Sequence, residues 1–514
     1  MSSQLNYGST ALGDSELDEQ FEAALADARR NPAGVLRHLI AGQPVERGEV
    51  FERVDPCAAG RVVSSARTAD ADLVQEAVSA ARAAARDWRR TGFAERVSLL
   101  RAAKEGFNAR LAELGGVIAA ETGKTRVEAL AEVYESVDLV EHYCAQTELN
   151  QGFVRPMKPA GGDVNTDVLR PYGVFGVITP FNFPVALAVN MTAAALVTGN
   201  TVVVKPSDKT PRSTAIAMEI LAAALPAGVL NIVHGGATTG AALAEAAIDG
   251  VAFTGSAAVG WQLVRTLSDG PWARPVLAEM GGQNPAIVTD TADLDAAAVG
   301  IARSAFGLSG QKCSACRRVI VDRRVADQLL ERLAAECAKL VVGDPSDPRT
   351  GLGPVIDGAI AARVEQALAT AHRDGRVVTG GRVDELGPLF FSPIVVTDLP
   401  AGHPLTREEL FAPFLTVIAV DDFDAALREA NASDYGLSAG IFTGNESETE
   451  QFLDEIEAGV VYVNRRAGAT TGAWPGIQSF CGWKASGSSG KGGLGPWYLP
   501  GFMREQSRTV AGTP

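Results

Sequence analysis

The sequence predicts an α/β protein with a doubly wound parallel sheet followed by a second α/β unit. Three observations predict it. From about Gly173 onward, short apolar runs alternate with Ala-rich helical stretches, the βαβ rhythm of a parallel sheet covered by helices. The rhythm restarts near Asn284, which sets a second unit apart from the first. A chain of 514 residues is also too long for one core, so two or three domains are expected.

Taken in order, roughly the first 145 residues read as helices. "DADLVQEAVSAARAAARDWRR" and "FAERVSLLRAAKEGFNARLAELGGVIAAETG" carry apolar residues at three-to-four spacing. The segment "RPMKPAGGDVNTDVLRP" is punctuated by Pro and Gly and partly alternating, which predicts a hairpin. Buried strands follow in "GVFGVITP", "NTVVVKPS", "GVLNIVHGG", "GVAFTGS" and "RPVLAEMGG". In the second unit "NPAIVTD", "RRVIVDR", "FFSPIVVTDL", "FLTVIAVDD", "LSAGIFTG" and "GVVYVN" read as strands, and the tail "GPWYLPGFMREQSRTV" as another hairpin.

The bulk numbers exclude several function classes. A net charge of −15 argues against phosphate backbones and anionic membranes as partners, so neither nucleic acid nor membrane is expected. Six cysteines are too few for a disulfide framework and point to a reducing compartment. The start lacks a basic and an apolar leader region, and a cytoplasmic protein is the expectation.

Four stretches carry candidate chemistry. "GQKCSAC" puts Cys313 and Cys316 three residues apart. No second C-x-x-C or His pair accompanies them, so no metal site is expected. Cys313 stands in a loop-like setting that can present a thiol, whereas Cys316, just inside a strand, reads as a small core residue. Glu279 of "LAEMGGQNP", 34 residues before Cys313, is a carboxylate in an apolar strand, either structurally paired or chemically active. Asn182 of "VITPFNFPVALA" is either a turn residue or a fixed donor for a developing oxyanion. "TVVVKPSDKTP" is followed by "VHGGATTG" and "FTGSAAVG", whose glycine clusters follow strands and precede helices, which suits a phosphate group. The G-x-G-x-x-G pattern is absent, and Lys205 is either a solvated strand end or a group for a ribose hydroxyl.

Together the stretches "PFNFP", "VVVKPSD", "FTGS", "EMGGQNP", "GQKCSAC", "GDPSDPRTGLGPVI" and "REELFAPFLTV", in that order, resemble the aldehyde dehydrogenase superfamily over about residues 50 to 514. The resemblance implies oxidation of a small aldehyde to a carboxylic acid with NAD, or NADP. It also implies that family's fold: a Rossmann-like cofactor domain (1–151 and 168–282), a catalytic domain (283–484) and a small β arm (152–167 and 485–514) that assembles a homodimer or higher homo-oligomer. By that likeness Cys313 is the nucleophile and Glu279 the general base, and Asn182 forms the oxyanion hole with the Cys313 backbone N–H. Lys312 stands near the thiol. The cofactor residues implied are Thr179, Pro180, Phe181, Lys205, Ser207, Asp208, Gly235, Gly240, Phe253, Gly255, Ser256, Glu409 and Phe411. The family often has Glu at Asp208 and Gly at Ala412.

Within the superfamily, "RPYGVFGVITPFNFP", "KPSDKTP", "GQKCSACRR" and "RRAGATTGAWPGIQSF" are similar to the 1-pyrroline-5-carboxylate (glutamate semialdehyde) branch of proline catabolism. That likeness implies Ser314, Gly472, Ala473 and Phe480 on the substrate, with Ser314, Gly472 and Ala473 anchoring its α-carboxylate. Where the branch reads P-F-G-G this chain has "SFCGW", which keeps succinic semialdehyde or an aliphatic aldehyde open as the substrate. A non-catalytic structural relative is the alternative from another class. Glu279 argues against the branch that hands its acyl group to coenzyme A, which typically lacks this base.

Overall fold

The computed structural model describes residues 15–32 and 34–511. Two seven-stranded sheets organise it. The first runs in the order Val276–Glu279, Gly250–Thr254, Val174–Ile178, Thr201–Lys205, Leu230–Ile232, His38–Ile40, Gln43–Val45. Its first five strands are parallel, and the last two form an antiparallel edge. "VFGVI" and "TVVVK" are buried at every position, because helices cover both faces and a two-sided strand must be apolar throughout.

From Val174–Ile178 the chain builds outward through Thr201–Lys205 and Leu230–Ile232, then returns to the other side with Gly250–Thr254. Between those two directions, at the carboxyl ends of the strands, lies the topological switch point, the place where sheets of this kind bind ligands. The second sheet runs Arg376–Thr379, Ile394–Thr397, Phe414–Val420, Cys316–Asp322, Asn284–Val288, Ser438–Phe442, Val460–Val463, parallel except at its first edge strand. Only four residues separate Glu279 at the end of the first sheet from Asn284 at the start of the second.

A core beside the first sheet is made by helices Leu111–Thr122, Arg126–Leu149 and Ala186–Val197. Thr125 caps the second of these by accepting from Glu128 N at 3.4 Å. An antiparallel arm of Met503–Val510, Val164–Pro171 and Val154–Pro156 projects from the body. Residues 1–14 and 512–514 of the expected outer segments lie outside the described residues.

Two expectations need correction. The first 145 residues are not all helical: His38–Ile40 with Gln43–Val45, and Val50–Val54 with Val62–Arg67, form hairpins. These strands are half exposed, so they lack the apolar run that marks a buried strand. The tail does not fold back on itself. Its strand Met503–Val510 pairs with Val164–Pro171, a partner that local turn signals cannot reveal.

Candidate active site

Cys313 and Glu279 line one cavity of about 410 Å³, together with the predicted Ser314, Gly472, Ala473 and Phe480. Cys313 sits on the loop entering strand Cys316–Asp322 and is half-buried. Several groups hold that loop. Leu308, Ser309 and Gly310 are all left-handed, with φ of 51°, 52° and 66°, a run that survives only under outside restraint. Glu128 accepts from Leu308 N at 2.7 Å, and Asn284 Nδ2 donates to Cys313 O at 2.7 Å and Ala315 O at 2.9 Å. The buried Arg317 guanidinium donates to Ala412 O at 2.6 Å and also to Gly310 O.

Burial pushes the Cys313 thiol up to about 12, helped by the charges of Glu409 and Glu279 and opposed by N–H groups of Ser314 and Cys313. Cys316, by contrast, is fully buried in the second core, as expected for a packing residue.

Glu279 ends its strand with the side chain 6% exposed and no cation beside it. Burial raises its carboxyl to about 7, although Gly493 N donates to Oε1 at 2.8 Å. Tyr143 and Tyr498 pack nearby, and the carboxylate's charge pushes both phenols up in addition to burial. Asn182 is 4% exposed and does not line the cavity; its Nδ2 donates to Gln311 O at 2.9 Å, two residues before Cys313.

The cofactor-type residues gather at the carboxyl ends of the first sheet. Lys205 is buried, and among the described residues its ammonium meets only the carbonyls of Pro206 at 2.7 Å and Gly235 at 3.0 Å. Burial lowers it to about 8, and Asp208 opposes the fall. Asp208 is exposed beside Gly236, where an added Cβ would lie 3.1 Å from its Oδ2. Ser207 is buried and accepts from Lys209 N at 3.3 Å. Gly240 lies 3.6 Å, measured from an added Cβ, from the Lys205 stem. At Gly235, whose φ is +145°, a Cβ would strike Thr239.

Gly255 leaves the next strand, and a Cβ there would strike the Phe253 ring at 2.4 Å. Ser256 then caps helix Ala257–Ser268. Thr179 and Pro180 leave the central strand, and the buried Thr179 Oγ1 has no partner among the described residues. Phe181 meets Phe411 edge-on at 5.8 Å. Phe411 is held at φ 55°, a costly conformation for a bulky residue. Glu409 accepts from Gly282 N at 3.1 Å.

A family model described as the aldehyde dehydrogenase family matches residues 44–507. The chain belongs to that family. Among aldehyde dehydrogenases it is 35% identical to the 1-pyrroline-5-carboxylate dehydrogenase of Geobacillus sp. (strain WCH70), over 96% of this chain and 95% of that one. A solved 1-pyrroline-5-carboxylate dehydrogenase from Thermus with bound NAD superposes with TM-score 0.93 at 31% identity, covering 99% of each chain. Proline utilization A from Bdellovibrio bacteriovorus superposes with TM-score 0.91 at 30% identity, over 96% of this chain. This chain spans about half of that longer one, 52%.

Part of the lining of this aldehyde dehydrogenase cavity was not read from the sequence. Glu135, Arg303, Arg465, Phe183 and Trp474 line it along with Lys312. Arg465 stacks over Tyr462 at 4.7 Å and donates to Thr471 O at 2.5 Å and Gly472 O at 3.2 Å. It thereby fixes Gly472 at φ +113°. Lys312 Nζ lies 3.6 Å from Glu128. In "SFCGW", Cys481 Sγ donates to Gly459 O at 3.3 Å and Phe480 N to Gly493 O at 2.9 Å. "RRAGATTGAW" contained a signal for Arg465, an arginine two residues past the half-buried strand Val460–Val463.

Proposed function

We propose that this chain oxidises L-glutamate γ-semialdehyde, the open form of 1-pyrroline-5-carboxylate, to L-glutamate with NAD. One observation carries the reading: a single cavity is lined by a thiol and a buried carboxyl together with charged groups of both signs, Arg303, Lys312, Arg465 and Glu135. A substrate with an aldehyde at one end and an α-ammonium and α-carboxylate at the other matches that set of groups. Ser314, Gly472 and Ala473 would anchor the carboxylate, Phe480 would wall the carbon chain, and Glu135 faces the ammonium. The similarity to 1-pyrroline-5-carboxylate dehydrogenases supports the same substrate.

The residues of the crevice fit NAD. Among the described residues Lys205 is a buried ammonium whose hydrogen-bond partners are two neutral carbonyls, and Thr179 Oγ1 lacks a partner. Lys205 with Asp208 would hold the adenosine ribose, Gly255 and Ser256 the diphosphate, and Glu409 and Phe411 the nicotinamide side. A Thermus relative carries NAD on the same fold. When bound, NAD supplies the hydride acceptor, and its positive ring favours the thiolate.

The thiolate of Cys313 attacks the aldehyde carbon, and the oxygen gathers negative charge. The Cys313 N–H and the second N–H of Asn182 Nδ2, whose first is held by Gln311 O, would donate to that oxygen. Such a donor is worth about 10² to 10³ in rate. Loss of hydride from the same carbon leaves a thioester on Cys313. Glu279, with its carboxyl near 7, takes a proton from water, and the hydroxide attacks the thioester to release the acid. A base whose pKa lies near the working pH is the effective kind.

We further propose that the two sheets divide cofactor and catalytic roles, and that the arm joins copies into a homodimer or larger assembly. The arm leaves Val154, Met157, Val164 and Val510 exposed. Among the described residues no helix is long and apolar enough to cross a membrane, and a cytoplasmic setting fits that. A steady-state panel of glutamate semialdehyde, succinic semialdehyde and an uncharged aldehyde, each with NAD and NADP, tests the substrate. Glutamate semialdehyde should have the highest kcat/KM; equal values for the uncharged aldehyde would remove the substrate assignment.

A further inference from the structure

Basic residues are distributed unevenly over a chain with a net charge of −15. A cleft of about 350 Å³ opens where the arm meets the turn between helices Ala71–Arg90 and Phe93–Ala109. Arg89, Arg90, Arg96, Arg170 and Arg508 line it, and Arg504 stands opposite Arg170 in the arm register. None of these six has a carboxylate at ion-pair distance among the described residues. Besides burial, the groups that depress Arg170 are Arg508, Arg89 and Arg504, all of its own sign.

Neutral acceptors hold three of these arginines. Arg96 Nε donates to Val197 O at 2.9 Å, and one terminal nitrogen donates to Thr91 O. Arg170 and Arg508 share Gln506 Oε1, the first at 3.2 Å and the second at 3.1 Å and 2.9 Å. Arg96 is 9% exposed, and its other terminal nitrogen has no protein acceptor among the described residues. Gathered like charges repel one another, and burial of Arg96 adds a desolvation cost that lowers it to about 10. On Arg96, Arg170 and Arg508, pinning by carbonyl and amide oxygens fixes the guanidinium groups while leaving their charge uncancelled.

We propose that this cleft binds a polyphosphate group, as inorganic triphosphate or as part of a nucleoside triphosphate. Guanidinium forks match pairs of phosphate oxygens, and the cleft volume is that of a small-molecule site. Phe93 and Phe153 also line it and offer a wall for a base. The cleft shares no lining residue with the thiol cavity.

Calorimetric titration of the full-length protein with inorganic triphosphate, and separately with ATP, at about 0.15 M salt tests this. The expected result is one saturable event per chain. Arg170→Gln with Arg508→Gln should weaken it on the order of a hundredfold, and Lys205→Gln in the dinucleotide crevice should leave it in place. Arg89→Gln with Arg90→Gln, at an exposed helix end, should also weaken it and guards against damage to the arm by the first pair. Equal affinity for both ligands means that phosphate alone is read, and tighter ATP means that the aromatic wall reads the base; either supports the site. Absence of saturable binding, binding that survives both arginine pairs, or loss in Lys205→Gln overturns the proposal. So does a smaller assembly in the Arg170 and Arg508 variant of a protein that binds no triphosphate, which would give the cleft to a second copy.

Discussion

Replacing Glu279 by Gln separates the two halves of the proposed reaction. The variant keeps Cys313 and its loop contacts, so the first turnover should still release a burst of NADH. Thioester hydrolysis then lacks its base, and steady turnover should fall by about 10² to 10⁴. The carboxyl near 7 fixes the pH behaviour of the parent enzyme. Its ionised fraction rises about tenfold between roughly pH 6 and roughly pH 8, so a hydrolysis-limited rate should rise by about the same factor, and the variant should lose that rise. Stability gives a second reading of the same group. The folded protein holds the extra proton between 4.5 and about 7, so stability falls as pH rises through that window. At about 1.4 kcal/mol per pH unit the loss is about 3 kcal/mol. The Gln variant escapes it, so its advantage in urea unfolding should appear near pH 8 and vanish near pH 4. Rapid-quench and stopped-flow absorbance at the NADH band measure the burst. An unchanged steady rate, or a parent profile flat across pH 6 to 8, would refute the reasoning.

Three other changes follow from the same geometry. Asn182→Ala should lower kcat by about 10² to 10³ with a smaller effect on KM, as steady-state kinetics would record. Lys124→Met breaks the fully buried pair with Glu132, 2.5 Å apart; it leaves an unpaired carboxylate and should cost about 3 to 5 kcal/mol in chemical denaturation. Arg465→Met should raise KM for glutamate semialdehyde at least tenfold while leaving an uncharged aldehyde within about twofold, and equal losses for both would mean that Arg465 only supports the loop.

The parallel strands were legible in the sequence because burial on both faces forces continuous apolar runs such as "TVVVK". The half-exposed hairpins before Ala71 carry no such mark. Cys313 and Glu279 could be read because each breaks a local rule, a thiol in a loop and a carboxylate in an apolar strand. The convergence of the charged lining could not be read: Glu135, Arg303 and Arg465 come from elements far apart in the chain. On a helix, an arginine such as Arg303 looks like any solvated side chain until the fold turns it toward a cavity. Asn284 was visible within "GGQNP", but its grip on the Cys313 carbonyl exists only in three dimensions.

The span Met280 to Gln283, which joins the two sheets, has no slack. A methyl on Gly281 would overlap the Glu409 carboxylate at 2.0 Å, and one on Gly282 would crowd Cys313 O at 2.8 Å. Glu279, the proposed base, and the loop of Cys313, the proposed nucleophile, therefore sit on either side of a short, taut splice. Neither half of the chain can be swapped, loosened or re-aimed as a separate module without detuning the distance on which turnover depends.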